Sequence, residues 1–344
     1  MHKVIKSVAV VAAAALSLTA CSSGTSSPSA STDTPKIKVG MAYDIGGRGD
    51  QSFNDSAAAG LDKAAQEFGV ETKESAATAG EAESAKEERL NQLIDAGYNN
   101  IVAVGFAYAN AVGKVAKDNP DVKFAIVDDA SEASTGDNIM NIVFAENEGS
   151  FLVGAAAALK TKTDHIGFVG GVETDLIKKF QVGYEAGAKA VNPDIKIDVK
   201  YLTQPPDFTG FGDVAKGKAA AEGMYQSGAD IVYHAAGGSG GGVFSAAKAA
   251  GKLAIGVDSD QAKTAAEDVR DVIMTSMLKR VDVGVYTFIK SVNDNTFAAG
   301  PTVFDLKVDG VGYSTTGGKI DDIVPQLEDY KQQIIDGKIV VPSK

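Results

Sequence analysis

Carboxylates, aromatic rings, one lysine and runs of glycine recur at one kind of place in this chain, directly after short apolar runs. Asp44 opens the stretch Asp44-Ile45-Gly46-Gly47-Arg48-Gly49-Asp50-Gln51-Ser52-Phe53-Asn54. Asp128-Asp129 closes another run, and a loop after Tyr201 holds Asp207, Phe208, Phe211 and Asp213. Gly237-Gly238-Ser239-Gly240-Gly241-Gly242 and Asp258-Ser259-Asp260-Gln261 follow two more, and Thr275-Ser276 precedes Lys279. Aromatic faces suit a flat ring or a sugar face. Carboxylates accept paired hydrogen bonds from vicinal hydroxyls or ring N–H groups. Excess negative charge repels a phosphorylated ligand. The set therefore suits a neutral, hydroxyl-bearing ligand with a flat ring.

Each residue also has a plainer reading. Phe53 fits a helix core as well as a site, Asp44 and Asp258 fit turn caps, and Lys279 fits a solvated helix face. Gly237-Gly238-Ser239-Gly240-Gly241 matches G-x-S-x-G between a strand and a helix, the setting of a hydrolase nucleophile. Such a triad needs a histidine further along, and the histidines are His2, His165 and His234. The stretch also lacks the Lys-Ser/Thr of a phosphate-binding loop. His165 and His234 have no metal-ligand spacing and read as structural. Arg48-Gly49-Asp50 is a three-letter adhesion match and carries little. No catalytic constellation, metal site or cofactor is called for.

The elements that must position these residues alternate. Strand-like runs at 36–44, 70–75, 100–105, 122–128 and 139–145 are separated by helical spacing at 52–68, 81–96 and 108–119. Ser52 and Asp55 have capping-box spacing. A second series follows: helices at 149–159, 178–191, 215–226 and 243–250, and strands at 165–171, 195–202, 231–236 and 253–258. Beyond it lie a helix at 278–292, a strand at 303–308 and a helix at 321–336 stopped by Gly337. Strands alternating with helices of this length imply βαβ units and parallel sheets. The architecture is α/β with two doubly wound lobes. Ligands in such sheets sit beyond the carboxyl ends of strands, where the residues above fall.

The chain has 344 residues and a net charge of −12, which argues against a nucleic-acid partner. Lys3 and Lys6 precede an apolar run at 8–18, shorter than the roughly 20 residues of a membrane span and typical of a secretory signal. It ends in Leu18-Thr19-Ala20-Cys21, with the sole cysteine last. The sequence resembles a lipobox, so 1–20 is expected to be a lipoprotein signal peptide and Cys21 the lipidated residue. Residues 21–35 read as a Ser/Thr/Pro-rich tether. Removing 1–20 leaves 31 basic against 45 acidic residues, a net charge of −14.

Taken in order, several segments resemble the basic-membrane-protein (BMP) family of bacterial solute-binding lipoproteins, whose purine-nucleoside receptors serve ABC importers. They include Asp44…Gly47…Asp50-x-x-Phe53-Asn54, Glu148-Gly149-Ser150-Phe151-Leu152-x-Gly154, Phe180-x-x-Gly183-Tyr184, Phe211-x-Asp213, Ile255-Gly256-Val257-Asp258-Ser259-Asp260-Gln261 and Thr275-Ser276-x-x-Lys279. The resemblance runs from about residue 36 to the end. It implies a type I periplasmic-binding-protein fold, two lobes joined by three crossovers. The first lobe would be 36–145 plus about 271–300, the second 146–270 plus about 301–344. It implies a base sandwiched by Phe53 and Phe211, base-edge acceptors at Asn54 and Asp128, a ribose set of Gly237, Asp258 and Lys279, and Asp44 in the cleft. The loop before Phe211 is long and offers Phe208 as a second candidate. The expected protein is a non-enzymatic, monomeric receptor on the extracytoplasmic face of the membrane. It would hand a nucleoside, or alternatively another neutral polyol or sugar-like ligand, to permease and ATPase subunits.

Overall fold

Runs such as Asn100–Ala103 and Ile231–Ala235 are buried on both faces, as strands of a parallel sheet covered by helices on both sides must be. The computed structural model describes residues 37–344. The expected signal peptide, Cys21 and tether lie outside the described residues. The first series gives β1 (Lys38–Tyr43), α1 (Phe53–Phe68), β2 (Glu71–Ala76), α2 (Glu83–Asp95), β3 (Asn100–Ala103), α3 (Ala109–Asp118), β4 (Lys123–Val127) and β5 (Ile139–Phe144). The second gives α4 (Glu146–Lys160), β6 (His165–Val172), α5 (Asp175–Val191), β7 (Lys196–Thr203), α6 (Val214–Gln226), β8 (Ile231–Ala235), α7 (Gly240–Ala250), β9 (Leu253–Asp258), α8 (Gln261–Thr264) and β10 (Ile273–Lys279). The chain ends with α9 (Val281–Asn293), β11 (Gly300–Phe304), β12 (Val311–Tyr313) and α10 (Val324–Ile335), and Gly337 follows at φ 71°.

Two six-stranded sheets result, ordered β11-β5-β4-β3-β1-β2 and β12-β10-β9-β8-β6-β7. Every pairing is parallel except β10 with β12. Both sheets reverse direction beside their first strand, between β1 and β3 and between β6 and β8. Such a switch point opens a crevice at the strand ends. The chain crosses between sheets three times, at Ala145, Arg280 and Asp305.

The second and third crossings differ from the sequence expectation. Residues 273–279 form strand β10 of the second sheet, so they do not begin a first-lobe helix, and the helix starts at Val281. The strand expected at 303–308 is β11 at 300–304, on the edge of the first sheet, and Leu306–Val308 is a 3-10 turn. The segment expected near 271–300 in the first lobe is thus 281–304. Ile273–Lys279 is buried at all but one position, so no polar alternation marked it as a strand. Its apolar residues ran on in helical register with those of α9. That helix packs on α1, with Phe68 and Tyr286 rings stacked at 5.7 Å and the Asp282 amide donating to Ser56 Oγ at 3.2 Å.

Candidate functional site

The two switch points face each other, and the eight residues singled out as binding residues line one cavity between them. Asp44 follows β1, Phe53 and Asn54 form the first turn of α1, and Asp128 follows β4. From the second lobe come Phe211 in a 3-10 turn after β7, Gly237 after β8, Asp258 at the end of β9 and Lys279 at the end of β10. The cavity measures about 590 Å³, counting the part open to solvent. Leu176, Ile177 and Phe180 of α5 add an apolar wall.

Its electrostatics centre on Lys279, which is 2% exposed. The ammonium lies 2.6 Å from Asp128 Oδ2 and 3.4 Å from Glu146 Oε1, and within 5.2–5.4 Å of the ring centroids of Phe53, Phe144 and Phe180. Burial works to lower its pKa, but the carboxylates of Asp128, Glu146 and Asp258 outweigh it and hold the ammonium above its usual value. Burial also pushes the carboxyl groups of Asp44, Asp128 and Asp258 up to about 6 each. For Asp128 and Asp258 the attraction of Lys279 opposes that rise. Asp128 Oδ1 is buried and has no hydrogen-bond partner among the described residues. Asp128 and Asp258 both adopt left-handed backbone (φ 70° and 62°), a conformation Asp tolerates better than most residues and one that collects at ligand clamps.

Local wiring explains how the sequence builds this. Asp50 caps α1, its carboxylate accepting from the amides of Ser52, Asn54 and Asp55 at 2.8–3.1 Å. The expected Ser52–Asp55 capping box is not formed: Ser52 makes no side-chain cap. Its hydroxyl crosses instead to the second lobe and donates to Asp258 Oδ2 at 2.6 Å. Ser259 Oγ donates back to the Ser52 carbonyl at 2.9 Å, and Gln261 Nε2 and Thr264 Oγ1 donate to the Gln51 carbonyl at 3.0 and 3.2 Å. Gln51 sits at φ 57°, strain spent on a residue that joins the lobes. Asn54 is used within its own lobe, Oδ1 accepting from the Asp44 amide and Nδ2 donating to the Ile45 carbonyl and Asp50. Beside Asp44, Gly105 has φ 105°, and a Cβ there would lie 2.7 Å from Asp44 Oδ2.

The structure separates the two candidate phenylalanines. Phe211 lines the cavity, its ring lying over Gly171, where a Cβ would come within 2.5 Å of it. Phe208 lies outside, edge-on to Phe106 at 6.0 Å. Ser239 is fully buried, donating to the Gly210 carbonyl and accepting from the Asp213 amide, so its hydroxyl is held as a structural group. His234 is also buried, its pKa pushed down to about 4 by burial. The Gln261 oxygen it meets at 3.0 Å accepts from the Val257 amide as well, which places the imidazole proton on Nε2. His165 pairs with Asp198 at 2.8 Å. Arg48 is bound to Asp62 and Glu74 and Asp50 is the α1 cap, so the adhesion tripeptide is internally engaged. Among the described residues no cluster of His, Cys, Asp and Glu is arranged to hold a metal ion.

Three contributors escaped the sequence reading. Glu146, 1% exposed, follows β5 and was findable by the strand-end rule. Phe180 lies on a helix face indistinguishable from core in sequence. Ser52 looked like a cap.

Comparison with known proteins adds the following. The family described as ABC transporter substrate-binding protein PnrA-like (Bmp) matches residues 36–344. The chain is 38% identical over 361 residues to the ABC transporter nucleoside-binding protein BmpA of Lactococcus lactis subsp. cremoris, covering 98% of this chain and 99% of that one. It is 40% identical over 324 residues to the CD4+ T-cell-stimulating antigen of Listeria monocytogenes serovar 1/2a, covering 89% and 88%. A crystal structure of an ABC transporter solute-binding protein from Aeropyrum pernix K1 superposes with a TM-score of 0.77 at 31% identity, covering 90% of this chain and 94% of that one.

Proposed function

The chain belongs to the family of PnrA-like ABC transporter substrate-binding proteins, with the two-lobed type I periplasmic-binding-protein fold, and we propose that the ligand it carries is a nucleoside, with a purine base. The observation that carries this reading is the pairing of Phe53, from the first lobe, with Phe211, from the second, on one cavity that also holds Asp258 and Lys279. Two rings from opposite lobes offer stacking faces to a flat base. Asp128 Oδ1 offers a buried acceptor, and Asp258 with the Lys279 ammonium matches the donors and acceptors of a ribose diol. Asp128, Glu146 and Asp258 surround the buried Lys279, and Asp44 adds a further carboxyl group to the cavity wall, which disfavours a phosphorylated ligand by like-charge repulsion. The name of the Lactococcus relative points the same way.

Function then needs no covalent step. A ligand that touches both lobes favours the closed arrangement over the open one by its differential contacts, and the closed receptor presents it to the permease. We place the lipid anchor at Cys21 and the receptor on the extracytoplasmic face of the membrane, working as a monomer. Loss of detergent-phase partitioning in Cys21→Ala checks the anchor.

Calorimetric titration with adenosine, guanosine, inosine and uridine tests the ligand. Saturable heat with at least one purine nucleoside is expected. Heat with ribose or another polyol and none with any nucleoside assigns the cavity to a sugar-like ligand instead.

A further inference from the structure

Asp44, Ile45, Phe106 and Phe211 line two spaces at once. One is the cavity described above. The other is an outer chamber of about 1110 Å³, counting the part open to solvent. Its first-lobe wall is the segment after β2 and the start of α2, and its second-lobe wall is the loop 206–209. At the mouth between lobes Phe106 meets Phe208 edge to face.

Apart from Asp44, the charged groups of this chamber are already paired. Glu81 pairs with Arg89 at 2.6 Å and Glu83 with Lys86 at 2.8 Å. Asp207 accepts from the amide and hydroxyl of Thr209. Beyond Asp44 and the exposed Thr78, what remains to meet a ligand is mostly apolar: Ile45, Ala77, Phe106, Pro206, Phe208 and Phe211. Such a wall favours a neutral apolar or aromatic group, and an anionic one would be desolvated beside Asp44 without gaining a partner.

Asp44 stands at the junction. Its amide donates to Asn54 Oδ1, and its own Oδ1 accepts from the Ile45 amide at 2.8 Å. Its Oδ2 takes no hydrogen bond from the described residues. On the nucleoside reading, on which this inference rests, the base lies between Phe53 and Phe211, and Asp44, which lines both spaces, is a group that an outward-facing base edge meets. We infer that the outer chamber holds a substituent carried on the exocyclic nitrogen of the base. The N–H remaining on a monosubstituted amine donates to Asp44 Oδ2, and the apolar group beyond it packs against Phe106 and Phe208. The receptor's ligand class therefore includes purine nucleosides with an alkylated or arylmethylated exocyclic amine.

The test is titration of the full chain with adenosine and N6-benzyladenosine, in the wild type and in Thr78→Trp. Thr78 is an exposed residue of the outer wall that does not line the inner cavity. In the wild type the two ligands are expected to bind within about threefold of each other, and Thr78→Trp should weaken the benzyl compound by roughly tenfold or more while adenosine is unchanged. Adenosine binding with N6-benzyladenosine weaker by about 30-fold or more in the wild type overturns the chamber assignment and leaves the nucleoside site standing. Equal binding of both ligands to Thr78→Trp overturns it as well. If neither ligand binds the wild type, the nucleoside reading fails and takes the chamber with it.

Discussion

The Lys279 ammonium, at the end of a second-lobe strand, meets the Asp128 carboxylate, at the end of a first-lobe strand, at 2.6 Å, with both side chains almost wholly out of solvent. The pair ties the two lobes together on the lining of the cavity. Its partners Glu146 and Asp258 share the same charge, so one lysine compensates a cluster of carboxylates.

Removing that lysine leaves buried carboxylates without a counter-charge, a change that costs about 3–5 kcal/mol when one partner of a buried pair is lost. Lys279→Met is therefore expected to lower the denaturation midpoint strongly. Adding Asp128→Asn should recover part of the loss. A Lys279→Met midpoint equal to the wild type's would refute the compensation.

Phe53→Ala and Phe211→Ala should each weaken nucleoside binding by about 1–3 kcal/mol, the usual worth of stacking a base on an aromatic ring. Phe208→Ala should leave adenosine affinity within about threefold, because its ring lies outside the inner cavity. Calorimetry on variants of matched thermal stability decides this, and an effect at Phe208 larger than at Phe211 would reverse the assignment.

Ser52→Ala removes a hydrogen bond to a carboxylate, worth about 1.5–3 kcal/mol, that spans the lobes. The expected signature is faster ligand release with little change in the association rate, read by stopped-flow fluorescence. A slower association with unchanged release would place Ser52 in the open form instead.

Because burial raises the Asp258 carboxyl to about 6, the folded chain holds a proton there that the unfolded chain releases near pH 4. Folding stability contributed by this group is thus present below about pH 4 and declines as pH rises towards 6. Asp258→Asn has no such decline, so its stability relative to the wild type should climb across that window, by on the order of 2–3 kcal/mol. Melting curves of both proteins at pH 4, 5, 6 and 7 measure it. A constant difference would show that Asp258 titrates at its ordinary value.

The parts of this architecture that are local were legible in the chain. Alternating apolar runs and amphipathic stretches gave the elements through residue 258, and the rule that ligands meet strand ends gathered Asp44, Asp128, Gly237 and Asp258 into one place. What was illegible depends on tertiary partners. The β10 strand carries no polar alternation because it is buried on both faces, so Lys279 was placed on a helix. Ser52 has the residue type and spacing of a cap, and only the approach of Asp258 from 206 positions away takes its hydroxyl elsewhere. Phe208 and Phe211 are equivalent in sequence, and the void over Gly171 is what admits the second.

The first sheet takes its edge strand β11, and α1 takes its covering helix α9, from chain that follows β10 of the second sheet. A polypeptide ending at residue 145 would carry β5 with a bare edge and α1 with an uncovered apolar flank. The first lobe is consequently not a unit that matures while the chain is still emerging. Its completion waits for residue 304, so nearly the entire polypeptide must be present before either half can lock into place, and cutting the molecule between its lobes leaves the first piece without β11 and α9.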